Sequence, residues 1–407
     1  MKLAVISDLH VGDYARAKDF NPSEGEHSVI DCFMDSFKSK FGKCDYKCDY
    51  LFVAGDITNR ANKTEFDLAT VRILEIAETL TVPESNIFIV PGNHDSNWSL
   101  GAADAENGVT NKQDIRDSRY KYFNSNELIK NMLSRAKFGS FHESPYFVFW
   151  ETEDIAILAF NSSANDNDEV AIHHGEVTSQ LVQSVRVELD QVVDLHEKKL
   201  KVVLFHHHPL NYEEKTYVQT DHSIMSNAEA LLDLASEYCF DFVIHGHKHI
   251  PRYNHFVKNG LHPLNILCSG SFVARLDDRW FDDVGNSFHI IEINQHCLTH
   301  RIPQGRIWSW SHFVQHGWIE NNQARDSIPF ESKFGSGYSR TVLETKLEKL
   351  IKQEFTKSSY VKWSDLEERD SELSFCSSQI LTLILQRLKS KIGFSIYSDP
   401  EIILLKD

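Results

Sequence analysis

Long apolar runs are absent from this sequence. None approaches the length a membrane-spanning helix needs, so neither a membrane role nor a membrane partner is expected. The N-terminus has one Lys and then four apolar residues before Ser7 and Asp8, too few for a secretory leader. Cysteine is sparse: seven residues in 407, scattered and odd in number. The closest pair, Cys44 and Cys48, sits in the small tandem repeat KCDYKCDY, and no spacing suggests a zinc ribbon or a disulfide framework. Reduced thiols in a cytoplasmic protein are the expectation. A basic excess is missing too: 42 Lys and Arg stand against 59 Asp and Glu, a formal net charge of −17. Such a field repels phosphate backbones and attracts metal cations. It counts against broad nucleic-acid binding, although a local basic groove is compatible with it. Residues 335–407 carry eleven acidic and eleven basic side chains, so the acidic excess resides in the first 334. Long repeats and low-complexity tracts are absent.

What is present is material for a packed core, with 41% hydrophobic and 25% charged residues. Short apolar runs recur at 3–6, 50–53, 87–90, 155–158, 202–205 and 240–244. Each is rich in β-branched or aromatic types and reads as a buried strand. Helical spacing joins them, at Phe66, Val71, Leu74 and Ala77 and again at Leu181, Val185, Leu189, Val192 and Val193. Buried strands alternating with helices predict an α/β layered fold. A polar motif follows almost every strand directly: Asp8 and His10, Gly55-Asp56, Gly92-Asn93-His94-Asp95, His206-His207, and Gly246-His247-Lys248-His249. Sites of α/β sheets gather at the carboxyl ends of strands, so these five ends are expected to converge on one cleft.

Taken singly, each motif has an ordinary explanation. Asp-x-His is usually a loop, Gly-Asp a turn, and Gly-Asn-His-Asp a turn with Asn at positive φ. The triple histidine can be a chance cluster, and Gly-His-Lys-His a surface loop. All five in order, each behind a buried strand, leave these explanations little room. Carboxylate, imidazole and amide oxygen together suit manganese, iron or zinc. Two such ions held close together need a bridging ligand. Asp56 is assigned that role, since a carboxylate can give one oxygen to each metal, and Gly55 lets the chain turn sharply before it. Asp8 with His10, and His247 with His249, share a face by their spacing of two.

These motifs resemble the pattern D-x-H, G-D, G-N-H-[DE], strand-end His and G-H-x-H of the calcineurin-like metallophosphoesterase superfamily. Within it, the sequence is most similar to the bacterial class III cyclic-nucleotide phosphodiesterases. The supporting residues are Leu158 to Ser162, His174-Gly175-Glu176, Phe205 to Leu210, His222-Ser223 and Asn227. The resemblance covers roughly residues 1–300 and implies a four-layer α-β-β-α sandwich. It also implies one metal on Asp8, His10, Asp56 and His249, and a second on Asp56, Asn93, His206 and His247. Counting from the apolar strand favours His206 as the ligand, and counting back from Pro209 favours His207; His206 is preferred. Manganese is the expected metal in vitro. The first motif and Asn59, three residues after Asp56, depart from the purple acid phosphatase pattern, which has Asp-x-Gly and Tyr there.

The chemistry expected of such a site is attack on phosphorus by a hydroxide held between the metals. His94 is read as a general acid outside the ligand set, with Asp95 either orienting it or holding the loop. Arg60 and Arg275 are candidate phosphate contacts, with surface ion pairing the competing fate of each. The expected activity is phosphodiester hydrolysis of a nucleotide or cyclic nucleotide. Two alternatives are a nuclease of the repair-exonuclease type and a regulatory subunit with a vestigial site. Domain boundaries are expected as a catalytic domain at 1–318, a polar linker at 319–334, and a mainly helical region at 335–407. That last region has apolar stripes at Leu343, Leu347, Leu350 and Ile351 and from Ile380 to Leu388, and a short final strand within 402–405. It resembles no family and is expected to meet both the catalytic domain and another chain, either a protein partner or a second copy.

Overall fold

The computed structural model describes residues 1–22, 28–166, 174–212, 224–258, 261–276, 284–297, 301–320, 328–398 and 401–407. The His222-Ser223 pair and residues 321–327 of the expected linker lie outside the described residues. The strands of the first half, in chain order, are β1 Lys2–Ile6, β2 Tyr50–Val53, β3 Ile87–Ile89, β4 Phe138–Ser140, β5 Phe147–Glu151, β6 Ile155–Phe160, β7 Leu200–Leu204 and β8 Phe242–His245. They continue with β9 Arg252–Phe256, β10 Leu264–Cys268, β11 Asn286–His296, β12 Pro303–Phe313, β13 Gly317–Glu320, β14 Glu331–Phe334, β15 Tyr360–Lys362, β16 Phe394–Tyr397 and β17 Ile403–Lys406. The helices are α1 Phe33–Phe41, α2 Lys63–Thr79, α3 Trp98–Glu106, α4 Lys112–Arg119, α5 Lys121–Ser125, α6 Glu127–Leu133, α7 Ser179–Leu189, α8 Ala228–Glu237, α9 Arg340–Glu354, α10 Trp363–Arg369 and α11 Ser378–Ile392.

Contacts divide the chain into two units: residues 1–291 with 309–330, and residues 292–308 with 331–407. In the first unit, β1, β2 and β3 pair in parallel, with Leu3 opposite Tyr50 and Leu51 opposite Ile87. The order β13-β12-β11-β1-β2-β3 completes this sheet. The second sheet runs β4-β5-β6-β7-β8-β10-β9, with β6, β7, β8 and β10 parallel. The parallel strands are apolar on both faces because both faces are covered. On β6, Ala156, Leu158 and Phe160 join Leu181 and Val185 of α7 and Leu231 and Leu232 of α8 in one cluster. Between the sheets, Phe88 of β3 meets Trp150 of β5 at 5.3 Å, ring to ring. On the outer face of the first sheet, α1 inserts Phe37 against Phe288 and Phe41 against Trp310, each at 5.1 Å. The layers are therefore α-β-β-α. The Trp-rich stretch near 310 serves this core through strands that its composition did not reveal. No helix among the described residues is long and apolar enough to cross a membrane.

The second unit has its own core. Leu343, Leu347 and Ile351 of α9 pack with Leu366 of α10, Leu381, Ile384, Leu385 and Leu388 of α11, Phe394 of β16 and Leu404 of β17. Its small sheet has the order β15-β17-β16 and is antiparallel. The chain order is thus helix, strand, helix, helix, hairpin. The stripe from Ile380 to Leu388 goes mainly to this core, and Leu383 is left 54% exposed. Residues 331–334, read as linker because they are polar, form β14 and pair with Gly305 to Trp308 of β12. Alternate residues Ser332 and Phe334 are buried, a pattern too short for sequence periodicity to register.

Candidate metal centre

The chain ends β1 and β2 side by side, and their loops are tied at once: Asp8 N donates to Gly55 O at 3.0 Å and His10 N to Asp56 O at 2.9 Å. The backbone is strained here. Asp8, His10, Asp56, His247 and His249 all have φ between 46° and 76°, the left-handed region that side chains other than Gly occupy at a cost. Six other non-glycine residues among those described share it. Two motif glycines make the approach feasible. Gly55 has φ 90°, and a Cβ there would sit 2.6 Å from His206 Nδ1; a Cβ on Gly246 would sit 1.9 Å from Ser7 Oγ.

Five strand ends, those of β1, β2, β3, β7 and β8, then bring their side chains together. Among the described residues, three overlapping groups place metal-ligand-type atoms within 4.8 Å of one another: Asp8, His10 and His249; His10, Asp56 and His94; Asp56, His206 and His247. His10 links the first two groups, and Asp56 the last two. Asp56 Oδ2 lies 3.1 Å from His206 Nε2 and 3.5 Å from His10 Nε2. Asp8 Oδ1 lies 3.4 Å from His249 Nε2 and 3.8 Å from His10 Nε2. Asn93 Oδ1 accepts from His247 Nδ1 at 3.1 Å. Of the three consecutive histidines, His206 is the one that reaches Asp56. Its Nδ1 donates to Ala54 O at 2.8 Å, which turns Nε2 toward the carboxylate. His207 instead pairs Nδ1 with Ser162 Oγ at 2.9 Å.

Burial works to raise the Asp56 carboxyl, yet His206, His94 and His10 around it hold its pKa well below 3.8. Burial would lower His206, and the adjacent Asp56 pushes it up instead, to about 9. His249 is lowered to about 4 by burial, against the pull of Asp8. His247 is also lowered, by burial and by its imidazole neighbours, His207 first. The cluster is thus a set of acidic and basic groups that cannot all be satisfied by protons. Both ring nitrogens of His10 are buried with no hydrogen-bond partner among the described residues. A hard or borderline cation fits that donor set, and these spacings suit atoms that face a common centre better than each other.

His94 sits beside this set. Its Nδ1 faces Asn59 O at 3.0 Å, and its ring lies 4.6 Å from that of His10. The Asn59 carbonyl thus holds the Nδ1 side of this ring. Asp95 accepts from Gly92 N and Thr58 N at 2.9 Å and from Thr58 Oγ1 at 2.9 Å. Burial, with the Asp56 charge added, raises its pKa to about 6. Of the two roles expected for Asp95, these bonds serve loop holding: they tie the loop after β3 to the loop after β2. Arg60 makes a surface ion pair with Asp13 at 3.7 Å, and Arg275 is exposed. Asn59 and Thr58 were not singled out as participants, because a backbone carbonyl and a loop hydroxyl leave no motif.

No curated protein matches the sequence. Solved structures similar in fold include a dimetal phosphatase from Danio rerio, 11% identical over 78% of this chain and 96% of that one, TM-score 0.43. A purple acid phosphatase from yellow lupin is 12% identical over 80% of this chain, TM-score 0.45; the chain spans 52% of its length. Zinc-complexed Vps29 from Entamoeba histolytica is 13% identical over 78% of this chain and 96% of that one, TM-score 0.32. Residues 332–390 match the family profile wHTH-Calcineurin_assc, which corrects the expectation that this region resembles no family. Residues 1–251, more than half of the chain, match the profile described as calcineurin-like phosphoesterase, and the chain belongs to that family.

Proposed function

We propose that the chain is a metal-dependent phosphodiesterase of a small nucleotide, cyclic or open, working with two divalent ions. Asp8, His10, Asp56, Asn93, His206, His247 and His249 would hold them, with Asp56 shared. The observation that carries this reading is the linked set of three ligand-type groups in which Asp56 belongs to two. Bound there, the ions would acidify water and draw charge from the phosphoryl oxygens. The protein's part is orientation. The Ala54 carbonyl sets the His206 ring, and such outer partners normally fix a ligand's tautomer. His247 N donates to both Asp8 oxygens, at 3.2 and 3.1 Å, which holds the loop after β8 against the loop after β1. His94, with Nδ1 on Asn59 O, is assigned the proton that the leaving oxygen receives at Nε2. Manganese, iron and zinc all suit the donors.

A nuclease reading draws on one observation. Helix α11 carries Arg387, Lys389 and Lys391 and no acidic residue, and all but its last two residues fall within the segment whose matched profile is named for a winged helix-turn-helix. Against it, Arg387 and Lys391 are ion-paired to Glu344 and Glu348 of α9. A vestigial site is disfavoured by the complete set of ligand types.

Elemental analysis after manganese loading should give about two metals per chain, and a bis(aryl) phosphate should be cleaved faster than the matching monoester. Asp56→Asn should lower metal content and cut turnover by at least about a hundredfold, the upper range for lesser, outer-shell partners. Metal content near zero overturns the centre. Preference for the monoester would make the protein a phosphomonoesterase.

A further inference from the structure

Beside the metal centre is a cavity of about 900 Å³ whose wall includes Trp98, Lys112, Arg116, Arg119, His174 and Glu176. A second space of about 340 Å³ shares Lys112, Arg116 and Glu176. Both fall in the size range of small-ligand pockets. Two of its lining residues lead toward loops that carry the centre. Arg119 Nε donates to Ser96 Oγ at 2.8 Å, and Ser96 directly follows Asp95. On the other side, His174 precedes Gly175, where a Cβ would sit 2.5 Å from the His207 ring; that ring lies 4.4 Å from His247.

The cationic side comes from α4, which with α3 is inserted between the Asn93-His94 loop and the next strand. Arg116 is half-buried there. Its Nη2 donates to Asn165 Oδ1 at 3.1 Å, and its Nη1 donates to Gln113 Oε1 at 3.5 Å and to the Tyr146 hydroxyl. These partners are all neutral, and among the described residues no carboxylate is within ion-pairing distance of Arg116 or of exposed Lys112. A guanidinium held only by neutral groups in a concave site keeps its charge for a ligand, and its planar fork suits phosphate oxygens. Arg119 is buried, donates to Asp166 O at 2.9 Å, and lies 3.7 Å above the Trp98 ring. Trp98 is thereby pinned as a flat wall. The carboxylates of the pocket are Glu176 and Asp166; the latter faces His174 at 3.9 Å.

We propose that this pocket receives the part of the substrate beyond the scissile phosphate, and that Arg116 and Lys112 read a second phosphate there, with a nucleobase against Trp98. The substrate class is then a nucleotide ester carrying a further phosphate, such as a nucleoside bisphosphate ester or a terminally phosphorylated dinucleotide. This rests on the phosphodiesterase reading above, but its test does not need turnover.

The test titrates the full-length, metal-loaded chain with a nucleoside 3′,5′-bisphosphate and with the 5′-monophosphate, by calorimetry. The bisphosphate should bind about tenfold or more tightly, the yield of one charge-assisted hydrogen bond. R116Q should abolish that preference and R116K should retain part of it, with folding checked by circular dichroism; K112Q, at an exposed position, should reduce it. Among p-nitrophenyl esters of the 5′-phosphate, the 3′-phosphorylated one should have the higher kcat/KM, and R116Q should lower that ratio. Equal binding of the two nucleotides by the wild-type chain overturns the proposal. So does a preference that survives in folded R116Q and K112Q. A bisphosphate preference in a chain that cleaves no ester would leave the pocket standing and remove the phosphodiesterase reading. Cleavage of a bis(aryl) phosphate with no bisphosphate preference would do the reverse.

Discussion

The two units of this chain bury different kinds of side chain. In the first, Asp8, His10, Asp56, Asn93, Asp95, His206, His207, His208 and His245 are all buried, with none more than 4% exposed. In the second, the buried polar residues among those described are Gln304, Ser332 and Ser377, and no charged group or histidine joins them. Desolvating charge is costly without compensation, so the contrast separates a unit built around chemistry from one built around packing. The surfaces agree. In the second unit, Lys346 pairs with Asp370, Lys352 and Lys391 with Glu348, and Arg369 with Glu354. Such a surface is nearly neutral, unlike the acidic first unit.

The most severe test of this contrast is His94→Ala. If His94 is a proton donor, metal content stays near that of the wild type and turnover falls by about a hundredfold, less for esters with a good leaving group. If metal is lost instead, His94 belongs to the ligand set, as its grouping with His10 and Asp56 allows. Metal analysis beside kinetics separates the outcomes.

In the second unit the matching change is Leu347→Ala. Leu347 is fully buried in a purely apolar cluster, so the change should cost about 2–5 kcal/mol. The loss should appear as a lower melting transition in calorimetry, with metal content unaffected. One transition in which metal release and melting move together would erase the distinction between the units.

A smaller effect should come from His262, at the opposite end of β8 from the metal motifs. Burial opposes its proton, but Asp241, 3.2 Å away, and Cys239 raise its pKa from 6.5 to about 9. Because the folded value is the higher one, the stabilisation is complete below 6.5 and is lost as pH rises through about 9. It amounts to no more than about 3 kcal/mol. Tm should therefore decline across that window, and His262→Gln should flatten the slope. An unchanged slope in the variant would show that the pair does not set it.

Much of the centre was legible because its residues are local to strand ends. The runs before Ser7, Ala54 and Phe205 are continuous and apolar, so strands and the positions just after them could be read without a structure. The His206 preference rested on counting from that strand, and His206 is the ring that reaches Asp56. Asp95 was ambiguous because its partners, Gly92 N, Thr58 N and the Thr58 hydroxyl, are backbone or loop groups without a sequence signature. The Trp-rich segment gave no strand signal because β12 crosses from one unit to the other, and its residues are buried on both faces, most of them in runs with no clean alternation.

The sequence by itself determined the family pattern, the α/β layering and the identity of the ligand-type residues, because these follow from strand-length apolar runs and from motifs a few residues long. Tertiary structure alone decided which atoms face each other: that Asp56 stands between His10 and His206, that Asn59 holds His94, and that Arg116 meets only neutral partners. Each of those relations joins residues 35 or more positions apart, or depends on a side chain's direction, and no local pattern encodes either.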